Sequence, residues 1–103
     1  MSITMRVSQR FDFKHEEEFM ALEKKFAKME ARRDDFPKGR RMQPIAGAEV
    51  RNTLIWECEF PDLASAQKAL DFASGDAEHD VLFKQQQPFF EAVKIEFFRN
   101  LDF

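Results

Sequence analysis

The stretch that decides the fold is residues 52–62, with the sequence Asn-Thr-Leu-Ile-Trp-Glu-Cys-Glu-Phe-Pro-Asp. Apolar and polar side chains alternate along it, which is typical of a strand with one buried face. The apolar face carries Leu54, Trp56, Cys58 and Phe60. Pro61 ends the strand, and Asp62 is a good N-cap for a helix that we predict to reach about residue 74. This stretch therefore joins a strand directly to a helix.

A second strand-to-helix junction lies near the N-terminus. Residues 3–13 alternate in the same way and predict another half-buried strand. A helix is predicted over residues 15–33, because apolar side chains recur there at spacings of three and four. That apolar stripe consists of Phe19, Leu22, Phe26 and Met29. We expect Phe26 in this helix, and Leu70 in the later one, to face the sheet.

The rest of the chain completes a six-element order. A loop, a weak edge strand, a short helix and a final strand are predicted over residues 34–44, 41–49, 76–88 and 91–101. One domain, residues 1–103, thus reads strand, helix, strand, strand, helix, strand. This order predicts an α+β ferredoxin-like βαββαβ fold, whose four-stranded antiparallel sheet has the order 4-1-3-2 with the helices on one face. A plain α+β sandwich of another topology is the alternative.

The composition limits the partners that the chain can have. Its formal net charge of −3 argues against nucleic acid and membrane surfaces, since both need a basic face. No apolar run is long enough to span a membrane. The single cysteine, Cys58, excludes an intramolecular disulfide, and no apolar signal segment opens the chain. We therefore expect a cytoplasmic protein.

The helices leave one face of the predicted sheet uncovered. The chain has 13 Phe and no Tyr, and so many rings need dry surroundings. We therefore expect a homodimer in which two open faces pack together as a closed barrel. The open face carries Arg6, Arg10, Glu57, Glu59, Lys94 and Glu96, with Ile55 and Phe98. With strands 3–13 and 52–60 taken as parallel neighbours, Arg6 and Arg10 are expected to form an ion-pair network with Glu57 and Glu59.

The whole pattern resembles a known superfamily. The order of elements, the chain length, the strand ending at residues 54–60 and the Phe-rich final strand after Gln87-Pro88-Phe89-Phe90 are similar to the dimeric α/β-barrel proteins. The nearest likenesses are the NIPSNAP-like and antibiotic-biosynthesis-monooxygenase-like proteins. The resemblance implies a homodimer and often a ligand pocket between sheet and helices. It also implies an activity that some members of the superfamily have, either cofactor-free oxygenation or haem degradation.

Haem chemistry is not expected here. The haem-degrading relatives use an Asn on the first strand, and a Trp and a His on the second helical segment. This chain has Gln9 on the first strand and Trp56 on another strand, so only His79 matches. Trp56 is instead predicted to be a core ring whose N–H is satisfied. We expect no cofactor.

Other chemistry-bearing residues carry weaker signals. His15, His79 and Cys58 do not stand at metal-ligand spacings, so no metal site is expected. Lys38, Arg40 and Arg41 form a basic cluster around Gly39 that could grip an acidic group. A solvated loop is the favoured interpretation of that cluster.

Two functions remain open from the sequence. The first is a domain that binds a small, mostly apolar ligand, as a cofactor-independent oxygenase or isomerase would. The second is a non-enzymatic dimeric structural or interaction module without turnover, and the sequence does not decide whether the chain is an enzyme. The candidate ligand-binding residues are Trp56, His79, Arg6, Arg10 and Glu57. Trp56 offers an amphipathic wall and His79 titrates near neutrality, whereas a filled interior with His79 in solvent is the alternative.

Overall fold

The computed structural model describes residues 1–103 and contains four strands and three α-helices. In chain order these are β1 (Ile3–Phe11), α1 (Glu16–Arg32), β2 (Arg40–Met42), β3 (Thr53–Phe60), α2 (Leu63–Gly75), α3 (Ala77–Gln86) and β4 (Phe90–Arg99). Short 3-10 turns precede α1 and β4. The predicted α+β ferredoxin-like fold is confirmed. The weak edge strand is shorter than predicted, because Pro44 lacks a ladder donor and Gly47 has a positive φ of 129°.

The sheet has the order β2-β3-β1-β4, which confirms the predicted 4-1-3-2 order in reverse. Every neighbouring pair of strands is antiparallel, so the expected parallel alignment of β1 and β3 is wrong. The reason lies in the connections. The chain crosses over through α1, so β2 runs parallel to β1 without touching it. It then turns back into β3, which must run opposite to both strands.

Side-chain caps set the helix starts. The Asp62 carboxylate accepts a hydrogen bond from the Ser65 backbone N–H at 2.7 Å, and α2 begins at the next residue after Asp62. Asp76 accepts from the His79 N–H at 3.0 Å and so begins α3. These bonds satisfy N–H groups that have no partner within the helix. The cap therefore fixes where His79 stands.

The core lies between the helices and one face of the sheet. It consists of three separate buried clusters: Met5, Cys58, Phe60 and Ala66; Phe11, Phe19 and Leu54; and Phe26, Met29 and Phe36. Phe26 is buried as predicted, whereas Leu70 is half-buried and packs against the first cluster. Phe13, the last residue of the strand predicted over residues 3–13, lies beyond the end of β1 and is exposed. None of the helices is both long and apolar enough to cross a membrane.

Candidate functional site

A cavity of about 380 Å³ lies between the helix-facing side of the sheet and the three helices. Eleven of its twenty lining residues are hydrophobic, which is the usual balance of a small-molecule site. The sheet contributes Met5, Val7, Gln9, Arg41, Trp56, Val93 and Ile95. The helices and the loop before β2 supply the rest, including several Phe rings. The structure thus has a cavity where a filled interior was the alternative.

Arg41 holds together the polar wall of this cavity. It stands opposite Trp56 in the β2–β3 ladder and points toward the helices. Its Nε donates to Oε2 of Glu23 at 2.7 Å, and its two terminal nitrogens donate to both carboxylate oxygens of Glu30 at 3.0 and 2.8 Å. Nε2 of Gln86 donates to the other oxygen of Glu23 at 2.8 Å. We call Arg41, Glu23 and Glu30 the Arg41 cluster.

The Arg41 cluster carries a surplus of negative charge. Burial lowers the pKa of Arg41, but the hydrogen bonds and charges of Glu30 and Glu23 more than offset that effect, so its pKa is raised overall. Arg41 therefore stays a cation. One guanidinium thus faces two carboxylates, and neither glutamate makes another ion pair.

His79 enters the cavity from the first turn of α3. Its ring centroid lies 5.1 Å from that of Phe26, 6.1 Å from Phe36 and 6.4 Å from Phe83. Burial lowers the pKa of His79 and outweighs the carboxylate of Asp76, which acts in the opposite direction. The neutral imidazole is therefore favoured at neutral pH. Its ring nitrogens make no hydrogen bond within the chain, although the backbone N–H is bound by the Asp76 cap.

Trp56 forms another wall of the cavity, but its N–H is not satisfied as predicted. Nε1 of Trp56 is buried and has no hydrogen-bond partner within the chain. The reason is the close approach of Gly39, which covers that edge of the indole. The prediction of a paired indole N–H is therefore wrong, while its partial burial in the sheet–helix layer is confirmed.

The other three candidate ligand-binding residues lie on the open face of the sheet. Arg6 is opposite Glu57 in the β1–β3 register, and its Nε donates to Oε2 of Glu57 at 2.6 Å. Burial raises the pKa of Glu57, but hydrogen bonds from Arg6 and Arg40 outweigh it, so the pKa is lowered overall. The expected ion pairing is confirmed for this pair. Arg10 instead lies opposite Thr53, because the strands are antiparallel, and its Nε stands 3.4 Å from Oε1 of Glu91.

The structure therefore brings Trp56 and His79 together at the cavity and separates Arg6, Arg10 and Glu57 from it. The Arg41 cluster was not predicted from the sequence. A signal existed for Glu23, which stands four residues after Phe19 and three before Phe26, inside the apolar stripe. The interpretation of Arg41 as part of a solvated loop is wrong, since its guanidinium is largely buried against α1.

Comparison with known proteins defines the fold further. No protein-family model and no curated protein matches the sequence. Among solved structures, a NIPSNAP family protein from Agrobacterium tumefaciens superimposes with a TM-score of 0.84 at 11% identity, covering 100% of this chain and 96% of that chain. This chain shares the fold of that protein.

Two further solved structures share this fold. SnoaB, a cofactor-independent oxygenase from Streptomyces nogalater, matches with a TM-score of 0.66 at 12% identity, over 99% of this chain and 95% of SnoaB. A dimeric protein of unknown function and ferredoxin-like fold from Bacteroides fragilis matches with a TM-score of 0.68 at 14% identity, over 96% of both chains. At such identities the likeness is one of fold, and it confirms the resemblance stated from the sequence.

Proposed function

We propose that this protein is a cytoplasmic homodimer that binds a small, mostly apolar ligand in the cavity between sheet and helices. The observation that carries the proposal is the cavity itself. Its volume of about 380 Å³ falls in the range of small-molecule sites, and its wall is mostly apolar with a few convergent polar groups. Trp56 and His79 are the proposed ligand contacts, because both line that wall.

The imidazole of His79 and the carboxylates of the Arg41 cluster give this cavity its hydrogen-bonding capacity. Nε1 of Trp56 is buried under Gly39 without a partner, so Trp56 contributes ring surface rather than its N–H. The imidazole of His79 has one donor and one acceptor, both free of bonds within the chain. A ligand with one or two polar groups on an apolar frame suits such a site.

A cofactor-independent oxygenase is a second candidate, favoured by the neutral state of His79 at the cavity wall. SnoaB, which has the same fold, is such an oxygenase. A neutral imidazole could accept a proton from an acidic O–H or C–H group of the substrate. The substrate carbanion would then pass one electron to dioxygen, and the two radicals would join in a C–O bond. The proton held by His79 would complete a hydroperoxide, which loses water to give the oxygenated product. An isomerase would instead return the proton to another carbon.

The proposed dimer explains the open face of the sheet. Ile55 and Phe98 lie there among charged side chains, and no helix covers them. The Bacteroides fragilis neighbour is dimeric, which supports the same assembly here. Two open faces packed together would bury these apolar side chains and the Arg6–Glu57 ion pair.

Fluorescence of Trp56 tests the binding function directly, because the chain has one Trp and no Tyr. We expect saturable quenching by at least one member of a panel of apolar amines, phenols, acids and haem, together with a ligand adduct in native mass spectra of protein purified from its host. His79→Gln should weaken that response, while His15→Gln, outside the cavity, should not. A flat response throughout and no adduct would overturn the proposal. Binding without oxygen uptake or product would instead support a module without turnover.

A further inference from the structure

The wall of the cavity carries a surplus of negative charge. The two carboxylates of the Arg41 cluster share one guanidinium, and Asp80, which also lines the cavity, pairs with Lys84 at 3.0 Å. Lys38 approaches the backbone carbonyl of Glu30 but does not line the cavity. One negative charge therefore remains without a cation. In a partly buried site such a charge is screened less than at the surface.

The same wall is rich in aromatic faces. Phe26, Phe36, Trp56, His79 and Phe83 all line the cavity. The guanidinium of Arg33 already lies 4.7 Å over the Phe36 ring, which leaves the rings of Phe26, Trp56 and Phe83 for a ligand. Aromatic faces attract cations, and the attraction grows when the cation is desolvated. The neutral imidazole adds no opposing positive charge. Surplus negative charge and aromatic faces therefore favour the same kind of ligand.

We propose that the ligand of this cavity is a protonated amine carried on an apolar frame, an inference that rests on the proposed ligand-binding function. Its ammonium group would lie beside Glu30 and Glu23, and its apolar part against Val7, Leu70 and Ile95, which line the cavity. The ammonium would supply the missing cation. A carboxylic acid would instead add a third carboxylate around Arg41, which already uses three of its five donors.

Three probes of matched size test the charge preference: 3-phenylpropylamine, 3-phenylpropanoate and 3-phenylpropanol. Quenching of Trp56 fluorescence gives the dissociation constant of each. We expect the amine to bind at least about tenfold more tightly than the acid and the alcohol, a difference of about 1.4 kcal/mol. Glu30→Gln should remove that preference. Glu91→Gln, a charge-matched change at an exposed position on β4, should preserve it.

The wild-type comparison needs no variant, so the test stands even if Glu30→Gln does not fold. An acid or alcohol that binds as tightly as the amine would overturn the proposed ligand class and leave the binding function intact. If no probe binds, the charge of any molecule that copurifies from the host decides: a cationic amine supports the inference, and a neutral or acidic molecule overturns it. No probe binding and no copurifying molecule would overturn the binding function and this inference together.

Discussion

Gly39 lies against the indole of Trp56 so closely that a β-carbon on Gly39 would stand 2.5 Å from Nε1. Glycine is required here by lack of space, since a side chain at this position would overlap a rigid ring. The contact joins the loop before β2 to the central strand β3. Phe36 and Pro37 of the same loop line the cavity, so this contact sets the position of the indole against one wall of the cavity.

Gly39→Ala should therefore displace Trp56 and lower the stability of the fold. We expect a loss of about 1–3 kcal/mol of unfolding free energy, as for other overpacked sites, and a shifted Trp emission maximum. Urea denaturation followed by fluorescence measures both quantities. Gly75→Ala is the matched control, because nothing stands within 4 Å of its added methyl group. Equal denaturation midpoints for the two variants would contradict the close contact.

Removing the side chain of Arg41 should lower the free energy of unfolding more than removing most other charged side chains. Its side chain is 20% exposed and those of Glu23 and Glu30 are 9% and 14% exposed, so Arg41→Ala leaves two poorly solvated carboxylates without a cation. Breaking a buried ion pair in this way costs about 3–5 kcal/mol. We expect a loss of that size in the free energy of unfolding, measured by urea denaturation.

The neighbouring arginine is the control for that measurement. Arg40 points to the opposite face of the sheet and its side chain is 74% exposed, 3.2 Å from Glu57. An exposed ion pair contributes about 0–1 kcal/mol, so Arg40→Ala should have a small effect. If the two variants lose equal stability, the Arg41 cluster is as well solvated as the surface.

The fold could be predicted because its signals are local. Alternation along residues 52–62, the three- and four-residue spacing around Phe26, and the Asp62 cap each depend on side chains close in sequence. The direction of β3 relative to β1 depends instead on how the crossover through α1 combines with the turn from β2 into β3. Treating the two strands as parallel was an error of topology, and it misplaced Arg10 while leaving Arg6 beside Glu57.

The site was only half predictable for a similar reason. Trp56 and His79 stand out by residue type and could be named from the sequence. The Arg41 cluster depends on tertiary packing, since Gln86 reaches Glu23 from a helix 63 residues away in sequence. In the sequence, Arg41 follows Gly39 and Arg40 and is expected in solvent. Only the tertiary structure shows that its side chain points toward α1.

His79 should titrate at a lower pH than a free histidine. Burial lowers its pKa below the usual 6.5. Nearby carboxylates raise the pKa but do not offset the burial; they belong to Asp76, Glu30, Asp80 and Glu23. The unfolded chain then binds more protons than the native one, so this contribution to stability is complete above about pH 6.5 and declines as the pH falls below it. An NMR titration of the His15→Gln variant, which retains only His79, should show the lowered pKa. A pKa of 6.5 or above would contradict the burial of the ring.

Arg6 tests the proposed dimer most sharply. Its Nε lies 2.6 Å from Glu57, its guanidinium lies 4.7 Å above the Phe98 ring, and its side chain is 39% exposed in one protomer. In a solvated monomer such a pair contributes about 0–1 kcal/mol. If a second copy covers this face, loss of Arg6 leaves Glu57 with only Arg40, at 3.2 Å, and should cost up to about 3–5 kcal/mol.

We therefore expect wild-type protein to scatter light as a dimer of the 12.2 kDa chain, and Arg6→Ala to raise the dimer dissociation constant by at least about a hundredfold. Arg32→Ala is the matched control, because Arg32 lies on α1, away from the open face, and its ion pair with Glu78 is exposed on both sides. It should change the constant less than about tenfold, since exposed pairs contribute little. Equal dissociation constants for the two variants would show that the open face stays in solvent. A wild-type mass of 12.2 kDa would also show that the open face stays in solvent. A dimer would then no longer explain why Ile55 and Phe98 lie on that face.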